Sequence, residues 1–294
     1  MTTIGSGQYV YDIVENWAKL PQGWTFGILV GVAVDSKDRV YVCHQRQDPP
    51  IIVFDREGNY LSSWGIGEIN EGHIMYIGPD DIMYLVDRGA HQALKLTLEG
   101  DRLLELGSRG YPSDTGVTVM GGEVPRAAGP FNMPTRMFSS PSGDIYVSDG
   151  YRNARVHRFS AAGDLLSSWG APGKSATGEF HLPHSLWVDS EGLVYVCDRK
   201  NNRVQIFSPT GEFINQWTDL ISVVDICMDS NETVYVHEGG ADGIGPRITV
   251  LDKKGTIQAR WDSPYGHQIW VDSHNDIYMA VCWEQRVMKY VRKG

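Results

Sequence analysis

The chain is short of the features that would send it to a membrane, to nucleic acid or into a disulfide-stapled scaffold. No apolar run approaches the ~20 residues that a membrane-spanning helix needs. The first residues, MTTIGSGQYVYDIVENW, carry neither a basic stretch nor the apolar core of a signal peptide. Membrane partners and export are therefore not expected. Cysteine is scarce: Cys43, Cys197, Cys227 and Cys282 are the only four in 294 residues. They fall in or beside strand-like runs of different repeats and read as reduced, buried thiols of a cytoplasmic protein. Positive charge is also scarce. With 26 Lys and Arg against 36 Asp and Glu the formal net charge is −10, which removes the basic face that phosphate binding wants, so nucleic acid is not an expected partner.

What the chain does have is a repeated phrase. Phe180 to Trp217 holds four short runs, SLWVD, LVYVCD, RVQIFS and EFINQW, rich in Val, Ile, Phe and Tyr and cut by the turn formers Ser-Glu-Gly, Lys-Asn-Asn and Pro-Thr-Gly. That is a four-stranded meander. Its second run carries a tyrosine that recurs as Tyr41, Tyr84, Tyr146, Tyr195, Tyr235 and Tyr278, at intervals of 43, 62, 49, 40 and 43 residues. Such spacing predicts six blades of a β-propeller, hence an all-β single domain over residues 1–294. The long interval holds an insertion, residues 108–133. Fourth strands end at Trp64, Leu106, Trp169, Trp217 and Trp261, and the sixth copy lacks one because the sequence stops at Gly294. The segment at about 8–17, closing on Trp17, supplies a strand of the missing type, so the N-terminal strand is expected to complete the last blade and close the ring.

The repeat also locates chemistry. Counting back eleven residues from each anchor tyrosine gives Val30, His73, Thr135, His184, Val224 and His267. In a propeller the first strand of each blade lines the central channel, so histidines in alternate blades converge on its axis. Three neutral imidazoles with an open fourth position describe a catalytic zinc site, although other divalent metals also accept imidazole. His44, His91, His157, His181, His237 and His274 are off this register and read as structural. Second strands return to the same face, and just past them stand Tyr151 and Arg199, with Arg46 or its neighbour Gln45. A tyrosine near a cationic centre is a candidate base, and arginines offer a planar fork for a substrate carboxylate. Asp87, Asp149 and Asp198, one step earlier, read as repeat residues that bond their own turns.

Phrases such as DGYRNARVHRFSAAGDLL and DRKNNRVQIFSPTGEF resemble NHL repeats. From about Trp24 to Val291 the chain resembles the catalytic domain of peptidyl-α-hydroxyglycine α-amidating lyases, with LPHSL at Leu182 to Leu186 similar to a zinc-histidine motif and Ser148 to Arg155 similar to SDGYxNxR. The resemblance implies zinc on His73, His184 and His267, Tyr151 as catalytic tyrosine, and Arg199 as active-site arginine. A second arginine follows a histidine directly in that family, whereas here Gln45 intervenes and Arg46 fits only with a one-residue shift. Gln268 replaces an aspartate that helps hold a structural calcium, so the calcium does not carry over, and Tyr265 replaces a methionine of the pocket wall. The expected activity is a metal-dependent lyase acting on a small α-hydroxylated, carbinolamide-like substrate that bears a carboxylate. A hydrolase, lactonase or hydratase using metal-bound water is the alternative enzyme, and a non-catalytic NHL interaction propeller is the alternative outside catalysis.

Overall fold

A computed structural model of the protein describes residues 2–46 and 48–294. Among the described residues there is no α-helix, and the only helical turn is a 3-10 turn at Arg199–Asn201. Six antiparallel sheets carry the chain, and the fold is the six-bladed β-propeller that the repeat predicts. Contacts divide it into two compact units, Ile69–Val223 and the pair Met1–Glu68 with Val224–Gly294.

The first unit holds three blades. Blade 2 is built from Gly72–Ile77, Met83–Asp87, Gln92–Leu96 and Arg102–Leu106. Blade 3 uses Pro134–Ser139, Ile145–Asp149, Arg155–Phe159 and Leu165–Trp169. Blade 4 uses Pro183–Val188, Val194–Asp198, Arg203–Phe207 and Phe213–Trp217. The insertion between blades 2 and 3 contributes no strand.

The other unit holds blade 1 (Leu29–Val34, Val40–His44, Ile51–Phe54, Tyr60–Trp64), blade 5 (Val223–Met228 to Ile257–Asp262) and blade 6. Blade 6 takes three strands from the end of the chain, Gly266–Val271, Ile277–Val281 and Arg286–Arg292, and its fourth, Tyr9–Val14, from the start. Tyr9–Val14 pairs antiparallel with the last strand, Tyr11 opposite Arg292, as the sequence predicts. A further strand, Thr3–Ser6, covers its outer edge; nothing in four residues that include a glycine announces it.

Local chemistry explains the repeat. Second strands such as Val194–Asp198 are buried on both faces, which is why they read as unbroken apolar runs rather than alternating ones. Fourth strands are exposed, as in Phe213–Ile214. The anchor tyrosines are all at most 2 % exposed. Six residues before most of them an aspartate ties the first hairpin: Asp189 Oδ1 accepts Glu191 N and Leu193 N, and its Oδ2 accepts the Tyr195 hydroxyl at 3.1 Å. Asp35, Asp229 and Asp272 repeat the backbone part of this turn.

Candidate active site

The histidine register coincides with a defect in the sheets. Pairing of first with second strands slips between Gly72 and Met75, between Pro134 and Arg136, and between Pro183 and Ser185. His73, Thr135 and His184 occupy these bulges, where an extra residue is released from the ladder and its side chain can be re-aimed. All three are fully buried. The His73 Nδ1–H donates to the Thr135 carbonyl at 2.6 Å, and since a carbonyl only accepts, the neutral ring turns a lone pair outward at Nε2.

Tyr151 meets that lone pair. It follows the second strand of blade 3 through Gly150, where a Cβ would lie 2.1 Å from the Pro183 carbonyl oxygen; only glycine lets the turn pass. The Tyr151 side chain is buried against Met133 and Leu182. Its hydroxyl oxygen lies 3.0 Å from His73 Nε2 and 2.9 Å from His184 Nε2, and the ring stands edge-on to both imidazoles, with centroids 5.1 and 5.4 Å away. A set of neutral imidazoles is chemically suited to a divalent metal such as zinc.

A permanent cation is already adjacent. The Arg88 guanidinium lies 5.1 Å from the Tyr151 ring centroid and its Nη2 donates to Glu71 Oε1 at 2.6 Å. Burial opposes the Arg88 charge, and Tyr151 and Glu71 beside it more than offset that, holding the guanidinium protonated. Arg88 stands four residues past its anchor tyrosine, as Arg199 does past its own, yet the repeat pattern alone does not mark it as a site residue.

The remaining predicted residues are placed as follows. His267 lies in the other unit, in an equivalent bulge between Gly266 and Gln268. Its Nδ1–H donates to the Val30 carbonyl at 2.9 Å, the same arrangement as His73 with Thr135. Gln268 Oε1 accepts Val32 N at 3.0 Å. Arg199 is half-buried at the head of the 3-10 turn, and its backbone N–H donates to the Leu182 carbonyl. Arg46 is exposed and forks onto Asp48, with Nε–Oδ1 at 3.1 Å and Nη2–Oδ2 at 2.8 Å, while Nη1 donates to Thr25 Oγ1.

Other histidines are engaged in structure: His44 and His91 accept Gly27 N and Met133 N, His237 accepts Gly266 N, and His274 meets Asp38. The four cysteines are buried thiols. Asp87, Asp149 and Asp198 hold more than their own turns. Asp87 accepts Ala90 N from its own turn and also Asn70 N and Glu71 N from the loop entering blade 2, and Asp149 and Asp198 reach Asn132 N and His181 N in the same way.

Comparison with known proteins finds relatives in repeat type, in sequence and in fold. Residues 180–207 match the NHL repeat model. The chain is 29% identical to NHL repeat-containing protein 3 of Homo sapiens over 222 residues, which is 71% of this chain and 60% of that protein. It is 26% identical to peptidyl-alpha-hydroxyglycine alpha-amidating lyase 1 of Drosophila melanogaster over 267 residues, 81% of this chain and 47% of that protein. The chain thus spans less than two thirds of the length of both relatives. A solved streptogramin B lyase superimposes with a TM-score of 0.66 over 96% of this chain and 98% of its own, at 12% identity; that likeness is one of fold. No helix among the described residues is long and apolar enough to cross a membrane.

Proposed function

We propose that the protein is a metal-dependent lyase of the amidating kind, in which His73, His184 and His267 hold one divalent metal, zinc in the first instance. The observation that carries the reading is the Tyr151 hydroxyl shared between His73 Nε2 and His184 Nε2. The lyase name of the Drosophila relative supports it.

The substrate is a small carbinolamide bearing a carboxylate, R–CO–NH–CH(OH)–COO⁻. A metal bound by the histidines supplies Lewis acidity that makes the substrate hydroxyl easier to deprotonate. Tyr151 Oη, as a phenolate beside the charge of Arg88, takes that proton. As the carbonyl forms, the C–N bond breaks with its electron pair going to nitrogen, and Tyr151 returns the proton there. The products are an amide and an α-keto acid, with no oxidant and no water consumed. Arg199 is assigned the substrate carboxylate, which its fork suits. Arg46 would have to leave Asp48 and Thr25 to share that task.

The test is product identity. Incubation with N-benzoyl-α-hydroxyglycine, against an enzyme-free control, is expected to release benzamide and glyoxylate in equal amounts. Benzoate in place of benzamide would replace the lyase by an amide hydrolase.

A further inference from the structure

The insertion, residues 108–133, contains no strand and no helix, and a segment of that length keeps its place only where its backbone is tied down. It is held at its start, middle and end. Asn132 Nδ2 donates to the Ser113 carbonyl and to Thr115 Oγ1, both at 3.0 Å. Asn153, two residues past Tyr151, clasps Ala128, accepting its N–H and donating to its carbonyl, both at 3.2 Å. The middle tie is of another kind, because it runs through the candidate site. Gly121 N donates to the Tyr151 carbonyl at 2.7 Å, and the Gly121 carbonyl accepts Lys200 Nζ at 2.5 Å.

Lys200 belongs to the blade that carries His184. It stands five residues past Tyr195, as Tyr151 stands five past Tyr146, within the 3-10 turn Arg199–Asn201. Backbone N–H groups of that turn donate to the segment leading to His184: Arg199 N to the Leu182 carbonyl at 3.2 Å and Lys200 N to the His181 carbonyl at 3.1 Å. The main chain of Lys200 is thus fixed to the His184 segment, while its ammonium reaches the backbone of Tyr151 through one residue of the insertion. That residue seats closely. A Cβ on Gly121, whose φ is +70°, would stand 3.4 Å from Leu182 Cδ1 and 3.8 Å from Lys200 Nζ. The ammonium–carbonyl bond is charge-assisted and directional. By contrast, Lys174 and Glu123, which also join the insertion to the approach to blade 4, are 65% and 75% exposed, and a pair so exposed contributes little.

We infer that Lys200 is a positioning residue: through Gly121 it holds the Tyr151 turn against the His184 segment and so keeps the phenol oxygen 2.9 Å from His184 Nε2. Its consequence for the reaction rests on the reading of Tyr151 as the base in carbinolamide cleavage, where a small displacement of the base lowers the rate. Three variants test it. Lys200→Met removes the donor at similar length, Lys200→Arg keeps a donor, and Lys174→Met cuts the exposed pair as a control. Each is compared with wild type by hydrogen exchange of the peptide containing Gly121 and by kinetics on N-benzoyl-α-hydroxyglycine. Fluorine spectra of protein labelled with 3-fluorotyrosine report the phenol directly, its line being the one missing from Tyr151→Phe. Lys200→Met is expected to speed exchange at Gly121 about tenfold and to shift or broaden the Tyr151 line. It should lower kcat about tenfold, with KM within about twofold and metal content unchanged. Lys200→Arg should bring exchange, line and kcat back to within about threefold of wild type, and Lys174→Met should match wild type. Exchange or a Tyr151 line unaltered in Lys200→Met would overturn the tie. An unchanged kcat, a rise in KM alone, or a kcat loss that Lys200→Arg does not recover would overturn the positioning role. Expected exchange and fluorine changes in a protein whose wild type releases no benzamide would uphold the tie and fell the lyase reading instead.

Discussion

Two arginines follow the second strands of successive blades, Arg46 after blade 1 and Arg88 after blade 2, and they share little else. The Arg46 side chain is 45% exposed and spends its fork on Asp48, itself 63% exposed. An ion pair of that kind is worth about 0–1 kcal/mol and is screened by salt. The Arg88 side chain is 9% exposed, pairs with Glu71 and lies over the ring of Tyr151. There the surrounding medium is less polarisable, so the same unit charge acts more strongly on a neighbour that gains or loses a proton. Position after the strand is common to both; burial and partner decide which of them can influence chemistry.

That contrast can be broken or sharpened by substitution. The largest effect is expected at the group Arg88 serves: Tyr151→Phe should lower kcat for carbinolamide cleavage by about 10³-fold, with bound metal retained, as read by steady-state kinetics beside elemental analysis. Gly150→Ala comes next, because a methyl group has no room against the Pro183 carbonyl; displacement of the phenol should reduce kcat by about 10²-fold and cost roughly 2–4 kcal/mol in urea unfolding. Arg88→Ala should reduce kcat by about 10- to 100-fold with KM little changed, because the cation lies against the Tyr151 phenol and supports its proton-accepting form rather than binding substrate. Arg46→Ala should change kcat/KM by less than about threefold and stability by no more than ~0.5 kcal/mol. A larger loss at Arg46 than at Arg88 would reverse the comparison and make Arg46 the carboxylate anchor.

What the sequence reveals of each arginine is its position after a strand and not its partners. The blades are readable because each places a buried tyrosine at the same point of its second strand, and the histidines because a bulge recurs at the start of the first strands, so a count of eleven residues lands on equivalent sites. Tyr151 is readable from Gly150 and the motif around it. The role of Arg88 arises from contacts with Glu71 and Tyr151, 17 residues before it and 63 after it, and no local pattern encodes that meeting. The engagement of Arg46 with Asp48 is equally invisible to a register count. Attachment of the insertion escapes for another reason: Gly121 N to the Tyr151 carbonyl is a backbone bond, available to almost any residue and so without a signature. Thr3–Ser6 is too short and too polar to stand out as a strand.

All of this rests on the histidines acting as a metal site, and that is measured directly by metal content per chain. Protein purified without added metal or chelator, and again after zinc supplementation, is compared with His184→Ala by elemental analysis, with circular dichroism to confirm that the variant is folded. The account predicts about one divalent metal per chain in wild type and its loss from the folded variant. Wild type that holds no metal even after supplementation, or a variant that holds as much as wild type, would contradict it.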